Sequence, residues 1–357
     1  MPLQDLGWDP FFEQHFIPFA AKNCYPGRVC REHKHLFGVL CETGEILAEI
    51  SGKMRYFAET RNDYPAIGDW VALQPLPGER RAIIQGVLPR KTCFSRKMKQ
   101  EYTEPQILAA NIDTVFLVSA LNEDFNVRRI ERYLLLTYES RALPVIILNK
   151  CDLTEEWAER VLEVEAVANG APVYPISALT GVGLDFLASY LLKGKTVSLL
   201  GSSGVGKSTL INALFGSQRQ KINDVREIDG RGRHTTSFRE LIVLPNGSIV
   251  IDTPGLRKVE LWANEEQLEN SFKDIELLAQ QCRFGDCQHR TEPGCAVRRA
   301  LEHEELDEGR YRNYCKLQRE IRYLDFKQNQ KIHLLEKAKW KRLAAQKRKS
   351  DKRHPSL

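Results

Sequence analysis

The 357-residue sequence predicts a multidomain fold: a small β-barrel over residues 1–105, a central α/β domain over 106–275, and a mostly helical, metal-binding domain over 276–357. Three observations carry that reading. Short apolar runs broken by turn residues fill the first region. Continuous apolar runs alternating with helical stretches fill the second, and a Cys/His cluster followed by charge-rich helical patterns marks the third.

In the first region the apolar runs are His35–Leu40, Ile46–Ile50, Gly68–Leu73 and Arg81–Leu88, with Glu42-Thr43-Gly44-Glu45 as a turn between the first two. Strands this short, with Gly and Pro between them, suit a small closed sheet. An oligonucleotide-binding (OB-like) barrel is one candidate among several small barrels that share the pattern. At its exit Arg90, Lys91, Arg96, Lys97 and Lys99 form a basic run with Phe94 interleaved. That suits a nucleic-acid surface, and equally a solvated linker beside one core aromatic.

Composition bounds the whole. Apolar residues make up 42% and charged residues 28%, ordinary values for a soluble globular protein, and no run reaches the length that spans a bilayer. Met1–Phe19 carries Asp5, Asp9 and Glu13 and lacks the basic start of a secretory signal. The cysteine count is nine, an odd number, and three crowd into Cys282–Cys295, which fits a cytoplasmic chain with reduced thiols and a metal site. Cys24, Cys30, Cys41, Cys93 and Cys315 read as core thiols. Of the net charge of +5, the segment from Lys327 to Arg353 carries eleven Lys/Arg against Glu336 and Asp351, so the remainder is about −4. Such a tail points to a polyanion such as nucleic acid, or to a solvated helix end.

In the central region Asp113–Ser119, Pro144–Leu148, Val173–Ile176, Thr196–Leu200 and Ile249–Ile251 read as buried strands. The stretches Val127–Ser140 and Glu155–Asn169 read as helices, giving a parallel sheet covered on both faces. Such a sheet binds ligands at the carboxyl ends of its strands, and the motifs sit there.

Gly201-Ser202-Ser203-Gly204-Val205-Gly206-Lys207-Ser208 matches G-x-x-x-x-G-K-[ST], after the strand Thr196–Leu200 and before a helix opening at Thr209. The glycines let backbone N–H groups cradle phosphate oxygens at a helix N-terminus. Lys207 then neutralises the β- and γ-phosphates and the Ser208 hydroxyl ligates Mg²⁺. Asn149-Lys150-Cys151-Asp152 follows the strand ending at Leu148. A carboxylate at Asp152 accepts the N1 and N2 hydrogens of guanine and would be left unpaired by adenine. Asn149 would tie this loop to the phosphate loop, the Lys150 stem would lie over the base, and the Ala178 N–H of Ser177-Ala178 would donate to guanine O6. The bland reading of Asp152 is a helix N-cap.

The switch residues come next. Asp252-Thr253-Pro254-Gly255 ends the strand Ile249–Ile251. There Asp252 would hold Mg²⁺ through a water and the Gly255 N–H would sense the γ-phosphate. In His234-Thr235-Thr236 one threonine, Thr236 by preference, contacts Mg²⁺. Leu256 stands where Ras-like GTPases carry the water-orienting glutamine, so intrinsic hydrolysis should be slow and need an activator or another group. His234 is the nearest candidate, or else a solvent-facing switch residue.

The base-reading motif begins at residue 149 and the phosphate loop at 201, so the guanine-nucleotide motifs run in circularly permuted order. With the barrel before them and the Cys/His cluster after them, Asn149–Asp152, Gly201–Ser208, His234–Thr236, Asp252–Gly255 and residues 282–295 resemble the ribosome small subunit-dependent GTPase family of bacteria over nearly the whole chain. The resemblance implies an OB-type barrel that touches 16S rRNA, and a late maturation factor of the 30S subunit whose GTP hydrolysis that subunit stimulates. Some members carry a basic extension before the barrel, where this chain has acidic and aromatic residues.

Cys282-x4-Cys287-x-His289-x5-Cys295 supplies three thiolates and an imidazole, a closed tetrahedral set for one structural Zn²⁺, with Gly285, Pro293 and Gly294 as turns. Free cysteines beside an exposed histidine are the alternative. The expected function is a GTP-hydrolysing, monomeric, cytoplasmic switch on the 30S subunit, without a membrane partner. The other readings are a GTP-regulated RNA- or protein-binding module in which hydrolysis is incidental, and a P-loop ATPase or kinase with a chance N-K-x-D.

Overall fold

The computed structural model describes residues 1–33, 36–97, 105–216, 240–252, 265–323 and 326. It forms two compact units, Met1–Glu260 and Leu261–Leu357.

The first unit opens with helix α1 (Pro10–Ala20), which Asp9 caps by accepting from the Phe11 N–H at 3.0 Å, with Pro10 in the first turn where no N–H is needed. Five strands then close a barrel: β1 (Tyr25–His33), β2 (Leu36–Cys41), β3 (Gly44–Ile50), β4 (Trp70–Pro75) and β5 (Arg81–Val87). Their order is β1-β2-β3-β5-β4, with β4 returning to β1 and only the β3–β5 pair parallel. The short helix α2 (Gly52–Phe57), capped by Ser51, separates β3 from β4. Val29, Val39, Val71, Leu73 and Ile84 fill the interior, while Phe12 and Phe16 of α1 pack on Trp70 from outside. This is the expected barrel. The sequence pattern missed α1 and β1, because α1 is apolar on too many sides for a clean helical stripe and β1 begins with Pro26-Gly27, which read as a turn.

Strands β6 (Cys93–Lys97) and β7 (Pro105–Ala110) form a separate two-stranded sheet. Phe94 is buried there, so it is a core aromatic. The remainder of the unit is an α/β layer with strands β8 (Thr114–Ala120), β9 (Leu143–Asn149), β10 (Val173–Ile176), β11 (Thr196–Leu200), β12 (Glu240–Val243) and β13 (Ile249–Asp252). Their order is β10-β9-β8-β11-β13-β12, parallel through β13 and antiparallel at β12. Helices α3 (Val127–Ser140), α4 (Trp157–Glu165) and α5 (Lys207–Phe215) cover it. The helical stretch expected over Glu155–Asn169 contracts to α4, and the antiparallel strand β12 lies beyond the parallel reading. At Arg31–Glu240, β12 pairs with β1, so barrel and α/β layer share one continuous sheet.

Arg28 pins the two parts of this unit together. Its guanidinium is buried and donates to the carbonyls of Leu6, Gly68 and Asn111 and to Thr196 Oγ1 at 2.6–3.2 Å.

The second unit contains α6 (Glu265–Ser271), α7 (Lys273–Ala279), α8 (Ala296–Glu302) and a helix α9 over 308–323. The charge-rich helical stretch after the Cys/His cluster is broken here into two helices. Glu304 adopts a left-handed φ of 57°, ending α8, and Asp307 then accepts from the Arg310 N–H at 2.6 Å to start α9. Arg310 lies over the Phe272 ring and grips Asp274 through Nε and Nη2 at 2.7 and 2.8 Å. The basic tail lies outside the described residues. Among the remaining cysteines Cys30 and Cys41 are buried as expected, Cys24 and Cys315 are half-buried, and Cys93 is exposed, so it is not the core thiol expected there.

Candidate functional site

Four of the predicted motifs begin at the carboxyl ends of neighbouring parallel strands: Asn149 ends β9, Ser177 follows β10, Gly201 follows β11, and Asp252 ends β13. The alternation of strand and helix brings together residues distant in sequence, as a doubly wound sheet does.

The phosphate loop needs its glycines for identifiable contacts. A Cβ on Gly201 would lie 2.3 Å from the Val118 carbonyl oxygen, and one on Gly206 would lie 2.2 Å from Asn149 Nδ2. Gly206 also has φ +96°, a conformation glycine adopts without steric cost. The Lys207 ammonium folds back on the carbonyl of Gly201 at 2.7 Å and on that of Ser202. Ser208 and Thr209 are exposed in the first turn of α5.

Asn149 is buried and joins three loops. Its Nδ2 donates to the Val205 carbonyl at 2.8 Å, and its Oδ1 accepts from the Ala178 N–H at 2.9 Å. The link to the phosphate loop is the one its sequence position suggests. The Ala178 N–H, expected to meet guanine O6, is here held by Asn149, so reading O6 requires an exchange or sharing of that bond. Lys150 adopts φ 69°, turning the chain sharply out of β9, and Asp152 is exposed in the one-turn helix Cys151–Leu153. Burial pushes the half-buried Cys151 thiol up, which keeps it protonated and inert at neutral pH. The Ser177 hydroxyl accepts from the Thr180 N–H at 3.1 Å and shapes the third loop.

His234, Thr235, Thr236 and Gly255 lie outside the described residues, and of Asp252 the backbone alone is described, as the last residue of β13.

Two residues that the motif reading did not single out also reach the phosphate loop. Asp124, in the loop after β8, accepts from the Ser202 hydroxyl at 2.8 Å, and Arg129 in α3 donates to the same hydroxyl at 2.9 Å. The available signal was positional: a polar loop at the carboxyl end of a strand beside the phosphate-loop strand.

In the second unit Cys282, Cys287, His289 and Cys295 converge, with their ligand atoms all within 4.8 Å of one another. Cys282 and Cys295 sulfurs are 3.9 Å apart, and His289 Nδ1 lies 3.5 and 3.4 Å from them. Tetrahedral zinc, with bonds of about 2.3 Å to sulfur and about 2.0 Å to nitrogen, requires separations of this size. Burial pushes the His289 imidazole down, which favours the neutral, ligating form. The donor set fits Zn²⁺, with all four positions filled by protein. Glu292, not anticipated from sequence, shapes the intervening turn by accepting from the N–H groups of Gln288, Arg290 and Thr291.

Comparison with known proteins agrees with this geometry. The family model described as RsgA GTPase matches residues 87–262. The chain is 46% identical over 352 residues to the small ribosomal subunit biogenesis GTPase RsgA of Opitutus terrae, covering 96% of each chain. It superposes on the crystal structure of YjeQ from Thermotoga maritima with a TM-score of 0.62 at 32% identity, covering 84% of this chain and 98% of that one. It also superposes on YloQ, described as a circularly permuted GTPase, with a TM-score of 0.57 at 27% identity, covering 84% of this chain and 95% of that one. With its own motifs in permuted order and a relative 46% identical over 96% of each chain, this chain belongs to the RsgA family of GTPases.

Proposed function

We propose that the chain binds the 30S ribosomal subunit, assists its late maturation as a GTP-hydrolysing factor and leaves on hydrolysis. The observation that carries this reading is the junction at Asn149, which ties the N-K-x-D loop to the phosphate loop and to Ser177-Ala178. A junction of that kind builds a guanine-specific nucleotide pocket. The curated relative's name, small ribosomal subunit biogenesis GTPase, supplies the ribosomal context.

In this reading Gly201, Ser202, Ser203, Gly204, Val205 and Gly206 wrap the phosphates, Lys207 neutralises them and Thr209 supports the loop from α5. Asp152 reads the base edge and Lys150 flanks it. Ser208, Asp252 and one of Thr235 and Thr236 would hold Mg²⁺, which supplies charge neutralisation on the phosphates. The Gly255 N–H senses the γ-phosphate and His234 is the candidate for positioning water. Cys282, Cys287, His289 and Cys295 would hold one structural Zn²⁺, which supplies folding energy to the loop that carries them. The functional parts are residues 1–105, 106–275 and 276–357. The barrel and the basic tail face 16S rRNA, and the protein acts as a cytoplasmic monomer.

The test is GTP turnover by the purified chain alone, with 30S subunits and with 50S subunits, with ATP as control. Slow basal GTP hydrolysis that rises many-fold with 30S alone is expected. Turnover that ignores ribosomes would remove the subunit from the mechanism, and 30S binding without acceleration would make hydrolysis incidental.

A further inference from the structure

A carboxylate is an unexpected neighbour for a loop that must hold a triphosphate. Asp124 lies in the loop between β8 and α3, and that loop is well fixed. The Phe125 N–H donates to the Asn122 carbonyl at 2.9 Å, Asn126 caps α3 through the Arg129 N–H, and Arg160 lies over the Phe125 ring. The fixed loop delivers the Asp124 carboxylate to the Ser202 hydroxyl, one residue past Gly201.

Arg129, in the first turn of α3, answers it. The guanidinium takes both carboxylate oxygens, Nη1 to Oδ2 at 2.6 Å and Nη2 to Oδ1 at 3.0 Å, while Nη1 also donates to Ser202 Oγ. The three groups therefore close a ring: Ser202 donates to Asp124, Arg129 donates to Ser202, and Arg129 grips Asp124. Arg129 and Ser202 hydrogen bonds hold the Asp124 carboxyl below the usual carboxylate range, with the charge of Lys150 also acting on it. At neutral pH the group is an anion, and the pair has zero net charge.

We propose that Arg129 is a positioning residue for nucleotide binding: it cancels the charge of Asp124, held beside Ser202, that would otherwise repel the phosphates of GTP and GDP. This rests on the nucleotide reading of Gly201–Ser208. The pair is partly exposed, with side-chain exposures of 32% for Arg129 and 45% for Asp124, so its influence is screened by salt. A carboxylate stripped of its partner next to the bound phosphates weakens binding by about tenfold at low ionic strength.

The experiment is titration of the full chain with fluorescent GDP and GTP analogues at low and high salt, for wild type, Arg129→Ala, Arg129→Lys, Asp124→Asn and the Asp124→Asn/Arg129→Ala double variant. Thermal melting serves as the fold control. The expected result is a roughly tenfold loss for Arg129→Ala, larger at low salt, with much of the affinity kept by Arg129→Lys. Asp124→Asn should bind at least as tightly as wild type, and the double variant should return to within about threefold of it. A double variant as weak as Arg129→Ala would overturn the proposal, because Arg129 would then act other than by cancelling Asp124. Weaker binding by Asp124→Asn would overturn it too, and that variant remains informative if Arg129→Ala does not fold. A wild-type chain that binds no GDP would instead overturn the nucleotide reading on which the proposal stands.

Discussion

Arg28 takes a full positive charge into the interior with its four hydrogen bonds all made to neutral oxygens. Burial pushes the guanidinium down to about 10, against the pull of Asp113 and Asp69, which still leaves it protonated at neutral pH. Arg28→Met would remove the charge but take a donor from four acceptors, of which the Gly68 carbonyl keeps the Asn111 side-chain amide. A net loss of about 3 kcal/mol is expected, read as a melting temperature lowered by roughly 5–10 °C. An unchanged melting temperature would mean that water replaces the guanidinium without cost. Asp152 makes a sharper prediction at the same scale. Asp152→Asn exchanges an acceptor for a donor at the base edge, so competition binding should shift from guanine toward xanthine nucleotides. Equal binding of ADP and GDP by the wild type would place the base edge elsewhere.

Among the elements, the second unit carries two polar clusters whose contributions can be tested. Burial raises the Asp274 carboxyl, but the Arg310 hydrogen bonds and charge outweigh it and hold the group below its ordinary value. The folded-state pKa is thus lower than the unfolded one. The stability gained is complete above the ordinary carboxylate range and is lost as pH falls below about 4. Melting curves taken down to about pH 3 should steepen their decline there in the wild type and less so in Asp274→Asn. A second prediction concerns the Cys₃His cluster: a strong chelator should release about one Zn²⁺ per chain and reduce helicity, with Cys287→Ser behaving likewise without chelator. Helicity that survives chelation would make the cluster dispensable for folding.

The same elements show what sequence could reveal. Strands β8, β9 and β11 were legible because burial on both faces leaves continuous apolar runs, and α3 because its apolar residues recur at helical spacing. Asn149 and the phosphate loop were legible because their chemistry is local to a strand end. The Asp124–Arg129 pair was not, because its meaning depends on Ser202, more than seventy residues away in sequence. The break between α8 and α9 was hidden for a different reason: Glu304 takes a left-handed turn that its side chain does not advertise.

At the scale of the molecule, charge is segregated. The segment from Lys327 to Arg353 carries eleven of the basic residues against two acids. Truncation after Lys327 should weaken 30S binding and flatten its dependence on salt, while GDP affinity stays as it was. An unaltered salt slope would assign the electrostatic contact to another surface. The continuous sheet has its own consequence. Barrel strand β1 pairs with β12, which pairs in turn with β13, the strand that ends at Asp252. The pairing at Arg31–Glu240 is therefore a hydrogen-bonded link of two strands between the barrel and the switch strand. If a barrel ligand favours one setting of β13, linkage is reciprocal: the factor by which GTP changes that ligand's affinity is the factor by which the ligand changes GTP's. Arg31, on the barrel side of that link, is then where the two equilibria can be uncoupled, because Glu240 itself lies opposite Asp252.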